Sequence, residues 1–300
     1  MTGWIQLSLR VNADRVEPAE QALLELGACS VSLVDAGDHP VHEPAPGETP
    51  LWPEVVLQGL FEAGAEPAAL TAALLGQGLI TAADAVVVER LAERDWTRAW
   101  MDRYEPMRFG QSLWICPSHI EPDPDWPLVI RLDPGLAFGS GTHPTTALCL
   151  QWIDGAALAG KRVVDYGCGS GILAIASALK GARQVLAVDH DPQALTATID
   201  NARRNAVADR IECLLPGQFK GEAADLILAN ILAGPLIELA PALAGCLAPG
   251  GQLVLSGVLA EQAEAVAAAY RDSLGPATIS QNEDWVRLDF QRPWLSGGGP

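Results

Sequence analysis

The sequence predicts an α/β protein: a doubly wound, mostly parallel sheet preceded by a small ferredoxin-like α+β domain. Three observations carry this expectation. The N-terminal segment, residues 1–91, alternates as βαββαβ. From about Met107 onward, apolar runs of strand length alternate with helical segments. One of these runs, Arg162 to Tyr166, leads straight into the turn Gly167-Cys168-Gly169-Ser170-Gly171.

In the N-terminal segment, Trp4 to Val11 sets Ile5, Leu7, Leu9 and Val11 against polar neighbours, the period of a half-buried strand. Pro18 to Gly27 carries Ala19, Ala22, Leu23 and Leu26 at helical spacing, and Gly27 is a natural stop. Ser30 to Val34 is the second strand. Residues 36–53, rich in Pro, Gly, Asp and Glu, read as a solvated loop. Val55 to Phe61 is the third strand, Pro67 to Gly76 the second helix and Ala85 to Glu89 the fourth strand. Nothing in this unit bears chemistry, so it reads as a recognition module.

Ala92 to Tyr104 places Trp96, Trp100 and Met101 on one helical face. It reads as a helix linking two domains, within residues 92–106, and its aromatic stripe as packing. Beyond it, Leu113 to Cys116 and Leu128 to Arg131 are short strands and Thr145 to Ile153 a helix. Arg162 to Tyr166 is an apolar strand bounded by glycines, as a buried parallel strand should be. Gly171 to Lys180 is helical, Gln184 to Asp189 a strand and Pro192 to Asn205 helical. Ile211 to Leu215, Leu226 to Asn230 and Gln252 to Ser256 are strands, with one helix over Pro235 to Leu247 between the last two. Ala260 to Tyr270 is a helix, and residues 277–291 hold two final strands. Such alternation demands right-handed crossovers and puts a ligand at the carboxyl ends of the central strands. The domain is expected to span 107–293, leaving a glycine-rich tail at 294–300.

The formal net charge of -18 disfavours a long nucleic-acid partner, whose phosphates need Lys and Arg. It suits a basic protein or a small cation, or serves only solubility. Six cysteines include no Cys-x-x-Cys pair, and a chain of 300 residues needs no disulfide staples, so they read as thiols in a reducing compartment. The N-terminus lacks the basic-then-apolar pattern of a signal peptide, and no apolar run approaches the ~18 residues of a membrane span. A cytoplasmic protein is expected.

The glycine turn carries the chemistry. Glycines let a backbone turn sharply and let a ligand approach the main chain; on its own the pattern is weak evidence, a tight strand-to-helix turn being the alternative. Its spacing, Gly-x-Gly-x-Gly, differs from the Gly-x-Gly-x-x-Gly of dinucleotide sites. Asp165, two residues before Gly167, would repel a pyrophosphate but can orient an ammonium or the loop amides. Asp189 ends the next strand, 18 residues after Gly171, where a carboxylate accepts from both ribose hydroxyls. Asp191-Pro192 reads as the cap of the following helix. Together these specify a nucleoside ligand without a pyrophosphate, of which S-adenosylmethionine is the common one.

Asn230 ends a strand beside the same crevice, where its amide can accept an N–H from an attacking nucleophile or merely cap the strand. The loop Asp133 to Thr146 is glycine-rich and precedes a helix, so its amides can wrap a carboxylate. Thr145 and Thr146 can bond the methionyl end of the cofactor, and Phe138 can close over the site; a plain capped loop is the alternative. His143 reads as a loop histidine with a local hydrogen bond. Cys168 reads as a small filler. No histidine and cysteine cluster has zinc spacing, so no metal is expected. Gly-x-Ser-x-Gly, the signature of serine hydrolases, is absent.

The segments Leu132–Leu150, Asp165–Gly171 and Asn230–Leu236 resemble the ribosomal-protein methyltransferases of the PrmA type, as do Trp4-Ile5-Gln6-Leu7, Pro46-Gly47-Glu48-Thr49 and Arg108-Phe109-Gly110. The resemblance covers nearly the whole chain. It implies a class I, Rossmann-like methyltransferase fold at 107–293 and substrate recognition by 1–91, with a linker helix that swings the small domain over the catalytic one. It further implies transfer of methyl groups from S-adenosylmethionine to lysine side-chain and N-terminal amines of large-subunit protein eleven. Thr146, Gly167, Asp189 and Asn230 would then contact the cofactor, and Asn230 would act in catalysis. Such a transfer needs a neutral amine but no metal and no single indispensable base. A monomer is expected. The rival readings are a methyltransferase acting on another protein, a nucleic acid or a small amine, a nicotinamide oxidoreductase, and a non-catalytic module. Base-modifying enzymes commonly place an aromatic after the strand-end Asn, where this chain has Ile231-Leu232-Ala233.

Overall fold

The computed structural model describes residues 3–37, 51–92, 104–133 and 143–294. Phe138, the 46–49 loop, most of the expected linker with Trp96, Trp100 and Met101, and the tail from 295 lie outside the described residues. The chain divides into two compact units, Met1–Ala99 and Trp100–Pro300.

The first unit comprises β1 (Gly3–Asn12), α1 (Val16–Glu25), β2 (Ser30–Asp35), β3 (Glu54–Glu62), α2 (Pro67–Gly76) and β4 (Val86–Ala92). Its strands are ordered β2-β3-β1-β4 and all pair antiparallel, which is the ferredoxin-like arrangement. Alternation decides which face is covered. Ile5, Leu7 and Leu9 of β1 and Val55, Leu57 and Phe61 of β3 are buried in one cluster with Leu23 of α1 and Leu74 of α2.

The second unit opens with β5 (Met107–Phe109), β6 (Leu113–Cys116) and β7 (Leu128–Arg131). These form a sheet of their own, ordered β5-β6-β7, rather than joining the main one. Strand β5 was not expected from the sequence, because three residues show no period. The main sheet is built from β8 (Arg162–Tyr166), β9 (Gln184–Val188), β10 (Ile211–Leu214), β11 (Ala224–Asn230), β12 (Leu247–Leu259), β13 (Thr278–Asn282) and β14 (Trp285–Gln291). Its order is β10-β9-β8-β11-β12-β14-β13. The first five are parallel; β14 runs antiparallel to both β12 and β13.

The helices are α3 (Pro144–Gly155), α4 (Ile172–Leu179), α5 (Pro192–Arg204), α6 (Ala233–Glu238), α7 (Ala240–Gly245) and α8 (Ala263–Leu274). Both sheet faces are covered, so the central strands set apolar side chains on both of them. Val163, Val185 and Leu228 enter the core that holds α4, while Val164, Leu186 and Ile227 enter the core that holds α6, α7 and α8. The single helix expected over Pro235–Leu247 is two, broken at Leu239 where Pro241 follows. Proline lacks the N–H that a continuous helix would use, and it disfavours helical backbone in the residue before it. Strand β12 is longer than expected at both ends, with a register shift between Leu255 and Val258.

Candidate active site

Five parallel strands present their carboxyl ends along one edge of the main sheet, and a cavity of about 680 Å³ lies there. That size falls within the ~300–1,000 Å³ usual for small-molecule sites. Following the sheet order, its wall takes Pro216 after β10, Asp189 and Asp191 after β9, Tyr166 and Gly167 at β8, Asn230 at β11, Gly257 on β12 and Trp285 on β14. Trp285 belongs to this edge because β14 is antiparallel and so begins where its neighbours end. Thr145 and Thr146 of α3 and Ile172 of α4 close the cavity over the strands.

The turn after β8 is forced by backbone conformation. Gly167, Gly169 and Gly171 have φ of 81°, 53° and 79°, the left-handed region that favours glycine. The Gly167 and Cys168 amides donate to the Val188 carbonyl at 2.7 and 3.1 Å, tying the turn to the end of β9. A side chain at Gly171 would meet Thr198 of α5, so this glycine serves helix packing behind the cavity rather than its wall. One at Gly167 would collide with the Ile231 side chain.

The two candidate carboxylates do different things. Asp189 stands just past β9. Its Oδ2 accepts from Gly169 N–H at 2.9 Å and its Oδ1 from Asp191 N–H at 3.0 Å. A carboxylate oxygen takes about two hydrogen bonds, so Oδ2 retains an acceptor site, and Oδ1 has besides Asp191 N–H only the exposed His190 Nδ1, 3.5 Å away. Two acceptors side by side on a cavity wall match a vicinal pair of hydroxyls. Asp165 sits one residue inside the end of β8 and is 1% exposed. Its Oδ2 accepts from Ala174 N–H of α4 at 2.9 Å and its Oδ1 has no hydrogen-bond partner among the described residues. Burial pushes its carboxyl up to about 7, against the Ala174 bond and with help from Asp189. Asp165 therefore anchors α4 beneath the turn, one layer behind the cavity where the sequence reading had expected contact with the cofactor.

On the other side of β8, Asn230 Nδ2 donates to Thr146 Oγ1 at 3.3 Å, which leaves Oδ1 to act as an acceptor. His143 caps α3: its Nδ1 lies 2.8 Å from Thr145 Oγ1 and 3.4 Å from Thr145 N. Burial pushes its imidazole below the ordinary value, with Glu283 opposing. The local hydrogen bond expected of His143 is present. Asp191 caps α5 through Gln193 N–H at 2.8 Å, as its Asp-Pro pair indicated. Cys168 lines the cavity, but burial raises its thiol far above the usual range, outweighing the hydrogen bond that Thr198 Oγ1 donates to it, so it is an inert wall. Among the described residues no group of three His, Cys, Asp or Glu is placed to hold a metal ion.

Of the expected site residues, Thr145, Thr146, Gly167, Gly169, Asp189 and Asn230 share this wall, Asp165 and Gly171 stand behind it, and Phe138 is outside the described residues. Sequence reasoning missed Gly257 and Trp285. Gly257 has φ of 83°, and a side chain there would collide with the Ile231 carbonyl. A lone glycine inside a strand pattern was the available signal of that close approach. Nothing local marked Trp285, whose place depends on β14 folding back antiparallel.

Comparison with known proteins bears on what fills this cavity. The family model described as ribosomal protein L11 methyltransferase (PrmA) matches residues 3–293. A protein of that description from Serratia proteamaculans is 52% identical over 292 residues, covering 96% of this chain and 99% of its own. One from Methylococcus capsulatus is 52% identical over 288 residues, covering 95% and 98%. The crystal structure of a ribosomal protein L11 methylase from Lactobacillus delbrueckii subsp. bulgaricus is 35% identical, with a TM-score of 0.58, and covers 63% of this chain and all of that one.

Proposed function

The chain belongs to the PrmA family of ribosomal protein L11 methyltransferases, and on that premise we propose how its cavity methylates amines of the large-subunit ribosomal protein L11. The methyl donor is S-adenosylmethionine, which when bound supplies a methyl group already activated by a cationic sulfur. The residues present fit it. Asp189 offers two acceptors for the ribose hydroxyls, the Gly167–Gly169 turn brings bare backbone to the cavity, and apolar Ile172 and Pro216 line the nucleoside side. Thr145 and Thr146 suit the polar methionyl end.

The acceptor is a lysine side-chain or N-terminal amine, and it must arrive neutral, since a protonated amine has no lone pair. A free lysine titrates near ~10.4. The apolar wall of Ile231 and Leu232 disfavours the ammonium, so the proton is shed to water on entry. Asn230 Oδ1 then accepts a remaining N–H and turns the lone pair toward the centre of the cavity. Thr146 holds the Asn230 amide in that orientation. Alignment of reactants at ~3–3.5 Å is the main demand of such a transfer, and no side chain need act as a dedicated base.

We assign substrate recognition to the N-terminal unit, residues 1–91, and catalysis to residues 107–293. The net charge of -18 favours a basic protein partner over nucleic acid. The enzyme acts as a monomer in the cytoplasm. Among the described residues no helix is long and apolar enough to cross a membrane.

The observation that carries the reading is the placement of the doubly held Asp189 and the Asn230–Thr146 pair on one wall, either side of the glycine turn. Calorimetric titration with S-adenosylmethionine, followed by transfer of tritiated methyl groups to purified ribosomal proteins, tests it. Label on L11 is the expected result. Binding without transfer would make the chain a non-catalytic module, and binding of NAD instead would overturn the cofactor.

A further inference from the structure

The acceptor half of the cavity has a chemical gap. The carboxylates on the wall, Asp189 and Asp191, both belong to the end of β9. Around Asn230 the described wall includes His143, Thr145, Thr146, Ile231, Leu232, Gly257 and Trp285, none of them anionic; Glu283, whose charge reaches His143, does not line the cavity. Yet methyl transfer places a full positive charge on the acceptor nitrogen. The new nitrogen–carbon bond forms from its lone pair, and the carbon–sulfur bond breaks with its electrons going to sulfur. An unmethylated amine can offer N–H groups to Asn230 as this charge grows. A neutral dimethylated amine has none, so Asn230 cannot hold it.

We propose that Trp285 is the specificity-determining wall for methylated amines: its indole stabilises the charge on a nitrogen that has lost its N–H donors, and so permits repeated transfer to one nitrogen. This rests on the reading of the cavity as an amine methylation site. A cation near an indole is attracted by the ring quadrupole and needs no hydrogen bond. The fold aims the side chain. Trp285 opens β14, paired with Leu259 of β12, at the ligand edge of the sheet. Between it and Asn230 lies β12, which presents Gly257 there, so no side chain from the intervening strand stands between them. The His143 ring packs against the indole with centroids 4.8 Å apart and planes at 71°, fixing its orientation. Burial favours neutral imidazole at His143, so it does not compete as a cation for the ring.

The test uses the full-length enzyme with two acceptors: L11 with unmodified lysines, and L11 whose lysines have been converted to dimethyl-lysine by reductive methylation. The ratio of kcat/KM for the two is independent of the folded fraction of a variant. For Trp285→Leu, the dimethylated acceptor should lose about 5- to 30-fold more than the unmodified one, the equivalent of about 1–2 kcal/mol. Trp285→Phe should recover most of that. Product spectra of Trp285→Leu should stall at mono- and dimethyl states. As a reading that needs no cofactor, saturation-transfer NMR should detect the methyl groups of free trimethyl-lysine amide with the parent enzyme and not with Trp285→Leu. An unchanged ratio in Trp285→Leu, or a Phe variant as impaired as the Leu variant, overturns the proposal. Failure of the parent enzyme to methylate either acceptor overturns the amine-site reading itself, and the assignment of Trp285 with it.

Discussion

Removing the Asp189 carboxylate tests the cofactor site most directly. In Asp189→Ala two things are lost. The first is internal: Gly169 N–H and Asp191 N–H each lose their acceptor. A buried donor left unpaired costs ~1–3 kcal/mol. Gly169 and Asp191 both line the cavity, where water can replace the carboxylate, so the low end applies and stability should fall by ~2 kcal/mol. The second loss is in binding. Two hydroxyls bonded to a charged acceptor are worth ~1.5–3 kcal/mol each, or ~3–6 kcal/mol together. At ~1.4 kcal/mol per tenfold, affinity should drop at least ~100-fold. Calorimetric titration with S-adenosylhomocysteine measures the second term, and urea unfolding of the ligand-free protein measures the first. An affinity within about fivefold of the parent, alongside the expected loss of stability, would show that Asp189 only staples the turn, and the ribose assignment would fail.

Three other perturbations separate the roles of neighbouring residues. Asn230→Ala should lower the transfer rate by ~100-fold while cofactor affinity stays within about threefold, because the amide orients the nucleophile; full activity in a steady-state assay would remove it from the mechanism. Gly257→Ala should cost ~2–4 kcal/mol in urea unfolding, since alanine is strained at this φ and its Cβ meets backbone at Ile231 that cannot swing aside; a parent-like midpoint contradicts this. Asp165 governs a pH dependence. Its folded value of about 7 lies above the ordinary carboxylate value, so the folded state binds the proton more tightly. The ligand-free protein should therefore lose stability as pH rises from ~4 to ~7 and change little beyond. Asp165→Asn removes that slope, and its stability relative to the parent should be roughly 2–3 kcal/mol better at pH 8 than at pH 5. Equal differences at the two pH values would mean that Asp165 is ionised throughout the folded state.

Much of this was legible in sequence because the signals are local. Arg162–Tyr166 and Leu128–Arg131 are strands over the residues their apolar runs mark, and Pro67–Gly76 is a helix between its own proline and glycine. Asp189 was legible for the same reason: a carboxylate just beyond a buried strand must face the ligand edge. For Asp165 the sequence left an ammonium and backbone amides both open, because it lies inside its strand, where both faces are covered and parity alone does not separate cavity from helix. The small β5-β6-β7 sheet was illegible as a separate layer, since short strands carry no mark of their partners. Pro241 did announce a break in the helix after Asn230, but the apolar run continued through it and masked the stop. Gly257 and Trp285 are brought to the cavity by pairing between distant strands, and neither signal is visible to a reading that moves residue by residue.

The closing hairpin has an evolutionary consequence. Glu283 in the turn between β13 and β14 holds a φ of 53°, and the carbonyl of its neighbour Asp284 is bonded to Ala260 N–H at 2.8 Å. That bend delivers Trp285 to a sheet whose nucleoside machinery lies strands away, around Asp189. Drift at this bend can therefore reshape what a descendant accepts while its grip on the donor is inherited intact. Three strands, β8, β11 and β12, separate the donor end at Asp189 from the acceptor end at Trp285.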